Sequence, residues 1–104
     1  MKLDLYRDAD GSPRARGDLF AGYLESDLQG SVTSTVRLLD LLDRLEAGEI
    51  EHWEETGNAH TLTLSPEGAT IVAEWDDEAQ PELVPLSDLR HGLTRWLELL
   101  GGER

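Results

Sequence analysis

Between Val32 and Leu45 the apolar residues Val32, Val36, Leu39, Leu42 and Leu45 recur at steps of four, three, three and three, and Leu38 and Leu41 widen the stripe. On a helix that spacing collects the residues on one side, whereas on a strand it would scatter them over both faces. Ser31 stands where an N-cap hydroxyl belongs, and Gly48 where a helix closes on a left-handed residue. Asp40 and Arg44, spaced i,i+4, are expected to pair on the polar side. The stripe lasts barely two heptads, too short for a zipper, so it is core. A helix with one apolar face needs a layer to cover it, and the flanking segments offer strands.

Leu3 and Leu5 alternate with Asp4 and Tyr6, which predicts a first strand over about 2–7. Asp8 to Pro13 has turn chemistry, and a second strand is expected over 14–24, with Gly17 and Gly22 marking a bulge or bend. The Asp8-Ala9-Asp10-Gly11 run begins like a calcium loop but lacks the later ligands and the closing glutamate. Beyond the helix, strands are expected over 49–55, 59–64 and 69–75, with a short edge strand over 82–86 limited by Pro85. Thr56-Gly57-Asn58 and Ser65-Pro66-Glu67-Gly68 supply the turns. A last helix opens with Ser87 as N-cap and Asp88 in its first turn. It carries Leu89, Leu93, Trp96, Leu97 and Leu100 on one side and ends at Gly101-Gly102, with Gly92 out of place inside it. The expected fold is one α+β domain spanning 1–104, an antiparallel sheet of five or six strands with two helices on one face.

The chain has 22 acids against nine Lys and Arg, a net charge of −13. Such a field repels nucleic acid and anionic lipid, and leaves a basic partner possible. From Leu45 to Leu89 there is no Lys or Arg but there are twelve acids, so the excess is regional and reads either as a solvated acidic surface or as an anionic binding face. The absence of cysteine removes disulfides and thiolate metal sites. The N-terminal segment has no signal-like apolar stretch and nothing reaches membrane-spanning length, which together predict a cytoplasmic protein.

Nothing here asks for catalysis. No serine sits in a nucleophile elbow, the glycines form no phosphate loop, and among so many carboxylates pairs at catalytic spacing arise by chance. No cofactor is expected. His52 and His60 could face each other across the Gly57 hairpin and, with Glu54, hold zinc; that small metal protein is the least favoured alternative. Trp96 belongs to the apolar stripe, whereas Trp53 and Trp75 stand among acids and could be core or partner anchors.

The opening Leu5-Tyr6-Arg7-Asp8-Ala9-Asp10-Gly11, the leucine-rich helix ending at Gly48, and Trp53-Glu54-Glu55-Thr56-Gly57-Asn58-Ala59-His60-Thr61-Leu62 with Gly68 and Ile71 resemble the YacL family. The chain is also similar to small immunity proteins of contact-dependent growth inhibition systems. The outline covers nearly the whole chain. The YacL resemblance implies an interaction module without an assigned activity. The immunity resemblance implies a cytoplasmic, non-enzymatic protein that binds and blocks one toxin's C-terminal domain, and no functional residue transfers by position. Joined to the charge map, it makes Glu49, Glu51, Trp53, Glu54, Glu55, Glu74, Asp76, Asp77 and Glu78 the expected partner-binding residues, facing a basic, nuclease-type toxin.

Overall fold

The computed structural model describes residues 2–104. Its first element is a hairpin of β1 (Leu3–Arg7) and β2 (Pro13–Gly17), with Leu5 opposite Ala15. The turn forms because the Asp8 carboxylate accepts from the backbone N–H groups of Asp10 at 2.9 Å and Ser12 at 3.0 Å. Arg7 then reaches across to the carbonyl oxygen of Leu99 at the far end of the chain.

The second strand stops at Gly17, short of the expected Leu24. Leu19–Tyr23 form a helical turn, α1, which runs directly into a π-helical turn over Leu24–Leu28 closed by Gln29 N–H donating to Leu24 O at 2.7 Å. The reason is periodicity: Phe20, Leu24 and Leu28 lie four apart, and all three are buried on one side. The glycines at 17 and 22 resemble strand punctuation but serve other ends. At Gly17 the backbone passes the Lys2 carbonyl too closely for a side chain, at a φ of +151°.

α2 (Val32–Glu46) follows the predicted stripe. Ser31 Oγ accepts from Ser34 N–H at 3.1 Å, Gly48 takes φ +78°, and Leu38, Leu39, Leu41, Leu42 and Leu45 are buried. Asp40 does not pair with Arg44: its partner is Arg104, which also engages Asp43. An exposed helical pair is worth a few tenths of a kcal/mol, and an arginine that bridges two carboxylates outcompetes it.

β3 (Trp53–Thr56), β4 (His60–Ser65), β5 (Gly68–Ala73) and β6 (Glu82–Val84) form a four-stranded antiparallel sheet in sequence order. The fold is therefore α+β, with two antiparallel sheets in place of one and three helices in place of two. One face of the larger sheet presents Leu62, Leu64, Ala69, Ile71, Ala73 and Val84 to the core. On the other face lie Thr61, Thr63, Thr70, Val72 and the exposed Leu83. Among the described residues no helix is long and apolar enough to cross a membrane.

α3 (Leu86–Leu99) starts before Ser87, with Pro85 in the N-cap position and no side-chain cap. Proline's fixed φ suits that boundary, and Leu89 N–H donates to its carbonyl at 2.9 Å. Gly101, at φ +75°, ends the helix as expected.

Gly92 finds its reason in tertiary packing. A Cβ there would stand 2.8 Å from Phe20 Cζ and 3.1 Å from Leu3 Cδ2, and Phe20 is fully buried with nowhere to move. Gly92→Ala is expected to destabilise the protein by about 1 kcal/mol or more, because overpacking outweighs the gain in helix propensity. A urea midpoint that rises in this variant contradicts the close α1–α3 approach.

Candidate functional site

The π turn and the β3–β4 hairpin are fastened by one carboxylate. Asp27 Oδ1 lies 2.9 Å from His60 Nδ1, Oδ2 accepts from His60 N–H at 3.0 Å, and Ala59 N–H reaches the same carboxylate at 3.3 Å. Asn58 Nδ2 adds a bond to Ser26 O at 2.9 Å. Gly57 completes the approach, since a Cβ there would lie 3.1 Å from Asp27 Cγ. The side chains of Asp27 and His60 are each 3% exposed. An ionised carboxylate only accepts, so Nδ1 donates to it, and in the neutral ring Nε2 is then the acceptor. Nε2 packs against Gly22, where a Cβ would be 3.3 Å away. Tyr23 meets the His60 ring edge-on at 6.3 Å, and burial, with the Asp27 and Glu55 charges, pushes its phenol far above the ordinary value.

His60 forms part of the wall of an open cleft of about 720 Å³, whose other walls include Arg16, Asp18, Gly22, Trp75 and Glu82. Strand parity delivers one of these, Glu82, which opposes Ile71 on the core side of β6; Trp75 comes from the turn after β5, where Asp76 N–H donates to Ala73 O. Trp75 is 68% exposed at the rim. Glu82 Oε2 accepts from Phe20 N–H at 2.8 Å in the first turn of α1. Burial raises the Glu82 carboxyl above its usual range, against the opposing pull of that N–H. Asp18 Oδ2 accepts from Lys2 N–H at 3.1 Å, and Arg16 turns its guanidinium onto Tyr6, 5.2 Å from the ring centroid.

The nine expected partner-binding residues are not one patch. β3 begins opposite Leu64 and β5 ends opposite His60, so Glu49 and Glu51 lie toward one end of the sheet and Asp76, Asp77 and Glu78 toward the other. Between residues 60 and 64 a strand advances about 13 Å. Glu54 and Glu74 share the outer sheet face and accept from Thr63 and Thr61. Trp53 and Glu55 turn toward α2, where Arg37 binds Glu55 at 2.7 Å and lies over the Trp53 ring. Trp53 is accordingly half-buried, and Trp96 is fully buried. The half-buried Asp76 accepts from Glu78 N–H at 3.1 Å and shapes its own loop.

Of the twelve acids from Leu45 to Leu89, the described residues give ion-pair partners to Glu46, from Arg90, and Glu55, from Arg37. The remaining arginine bridges serve Asp8, Glu25, Asp40 and Asp43, outside that stretch. The paired histidines of the sequence reading are separated: His52 precedes Trp53 at the Leu64 end, whereas His60 sits at the Ala73 end and is committed to Asp27. A one-residue view of the hairpin places them face to face, but the register of β3 on β4 does not. Among the described residues no group of three or more His, Asp or Glu converges as a metal site requires.

Asp27, Trp75 and Glu82 as a group escape sequence reading because they come from three separate elements. A signal for Asp27 did exist: Phe20, Leu24 and Leu28 at helical spacing would have put it on a helix beside the hairpin. No family model matches the chain, and neither a curated protein nor a solved structure does.

Proposed function

We propose that this chain is an immunity-type inhibitor, acting in the cytoplasm, which binds and neutralises a basic, nuclease-type toxin domain by covering its substrate surface and performs no chemistry of its own. The observation that carries this reading is the uneven use of arginine. The bridges neutralise α2 and the N-terminal hairpin, and leave Glu49, Glu51, Glu54, Glu74, Asp76, Asp77 and Glu78 without a cationic partner among the described residues. A nuclease holds its substrate with basic side chains, and uncompensated carboxylates compete for them. The exposed Trp75 beside the Asp76–Glu78 loop offers the aromatic anchor that interfaces favour. The likeness to growth-inhibition immunity proteins supports the same conclusion.

The neighbouring gene supplies the test. A large secreted protein with a variable C-terminal domain is expected beside this one, and co-expression with that domain should protect cells. Replacing Asp76, Asp77 and Glu78 together by lysine is expected to slow association about tenfold at low salt, with a weaker dependence on ionic strength. Protection and association rates unchanged by the triple reversal remove the acidic loop from the interface.

A further inference from the structure

The cleft beneath Trp75 presents one kind of chemistry. His60, buried and with Nδ1 committed to Asp27, turns Nε2 past Gly22 with no hydrogen-bond partner among the described residues. Glu82 and Asp18 accept from backbone N–H groups, Glu82 from Phe20 and Asp18 from Lys2, and both carboxylates line the cleft. Trp75 adds an exposed indole face at the rim. Arg16, the cation on this wall, is held on Tyr6 by stacking and by a 3.1 Å bond to its hydroxyl. The cleft thus sets two carboxylates and a π face against the single charge of Arg16, a balance that favours a cation rich in N–H donors over an anion.

We propose that this cleft is a receptor for a guanidinium group, presented as an arginine side chain by the basic toxin partner, an inference that rests on the function proposed above. Arginine fits better than lysine. Its flat group can lie against Trp75 while edge N–H groups reach His60 Nε2 and Glu82 together, whereas an ammonium is a compact, strongly hydrated point charge. The π turn has a role in this arrangement, because it carries Asp27, and Asp27 fixes the tautomer that makes Nε2 an acceptor.

The probe is N-acetyl-arginine methylamide, titrated into the ¹⁵N-labelled full chain, with the corresponding citrulline and lysine compounds for comparison. The arginine probe is expected to shift the Trp75 indole signal and the Gly22 and Glu82 amides together, lysine to bind more weakly, and the uncharged citrulline to leave them unmoved. Trp75→Ala and Glu82→Gln should each weaken the probe about tenfold with the rest of the spectrum preserved, since Trp75 is exposed and glutamine can still accept from Phe20 N–H. Equal shifts with citrulline, or arginine shifts scattered over the acidic loops and indifferent to Trp75→Ala, overturn the receptor. The two readings fail separately. A toxin domain that binds both variants as tightly as wild type overturns the cleft alone, and a chain that takes the probe but protects no cell overturns the immunity reading.

Discussion

Asp27→Ala is expected to lower the unfolding free energy by about 3–5 kcal/mol, read from urea denaturation at neutral pH. The carboxylate is almost wholly buried and receives His60 Nδ1–H together with the backbone N–H groups of His60 and Ala59. Alanine leaves all three donors in a site that water hardly enters, and each buried orphan costs about 1–3 kcal/mol. For a domain whose total stability is roughly 5–15 kcal/mol, that is a large fraction. Asp27→Asn keeps a carbonyl oxygen for the backbone donors and should lose distinctly less. If alanine and asparagine variants both unfold at the wild-type midpoint, the hairpin is not fastened through this residue.

Trp96→Ala should cost a similar amount, about 3–5 kcal/mol, for a different reason. The indole is fully buried in the core, and its Nε1–H donates to Gln29 O at 3.0 Å. Gln29 is the residue that ends the π turn, and it holds φ +54° and ψ −138°, a conformation that residues with a side chain rarely adopt. Trp96 therefore supplies bulk to the core and a latch to a strained link. Trp96→Phe separates the two: much of the volume remains while the latch is lost, so the loss should be about 1–2 kcal/mol. Equal losses for phenylalanine and alanine would assign the whole effect to the latch.

Both residues show how legibility depends on distance along the chain. The Trp96 stripe lies in one helix, and helical spacing reveals it. Asp27 and His60 are 33 residues apart, and no local pattern announces that they meet. The charge map is intermediate. The regional excess of acid is plain in the sequence, but which carboxylates are neutralised was decided by Arg37, Arg90 and Arg104 reaching from other elements. The zinc pair, the least favoured alternative, failed on register, a property of how two strands align that neither strand carries alone. The second strand gives way on period: Phe20, Leu24 and Leu28, spaced by four, are helical, and the glycines at 17 and 22 imitate the bends of a strand.

The Val32–Leu45 stripe determined α2 almost to the residue, from Ser31 through Gly48, because a helix's cap, face and end are all written within one continuous stretch. The alternating segments and turn residues likewise determined the α+β class and the antiparallel hairpins. What only the tertiary structure decided is what those elements enclose. The close approach at Gly92 brings α3 against Phe20, the π turn swings Asp27 under the hairpin, and the pairing of β6 with β5, together with the turn after β5, sets Glu82 and Trp75 on one cleft wall with His60. These contacts join residues far apart in sequence, and packing geometry, which local propensity does not encode, chooses among the pairings open to them.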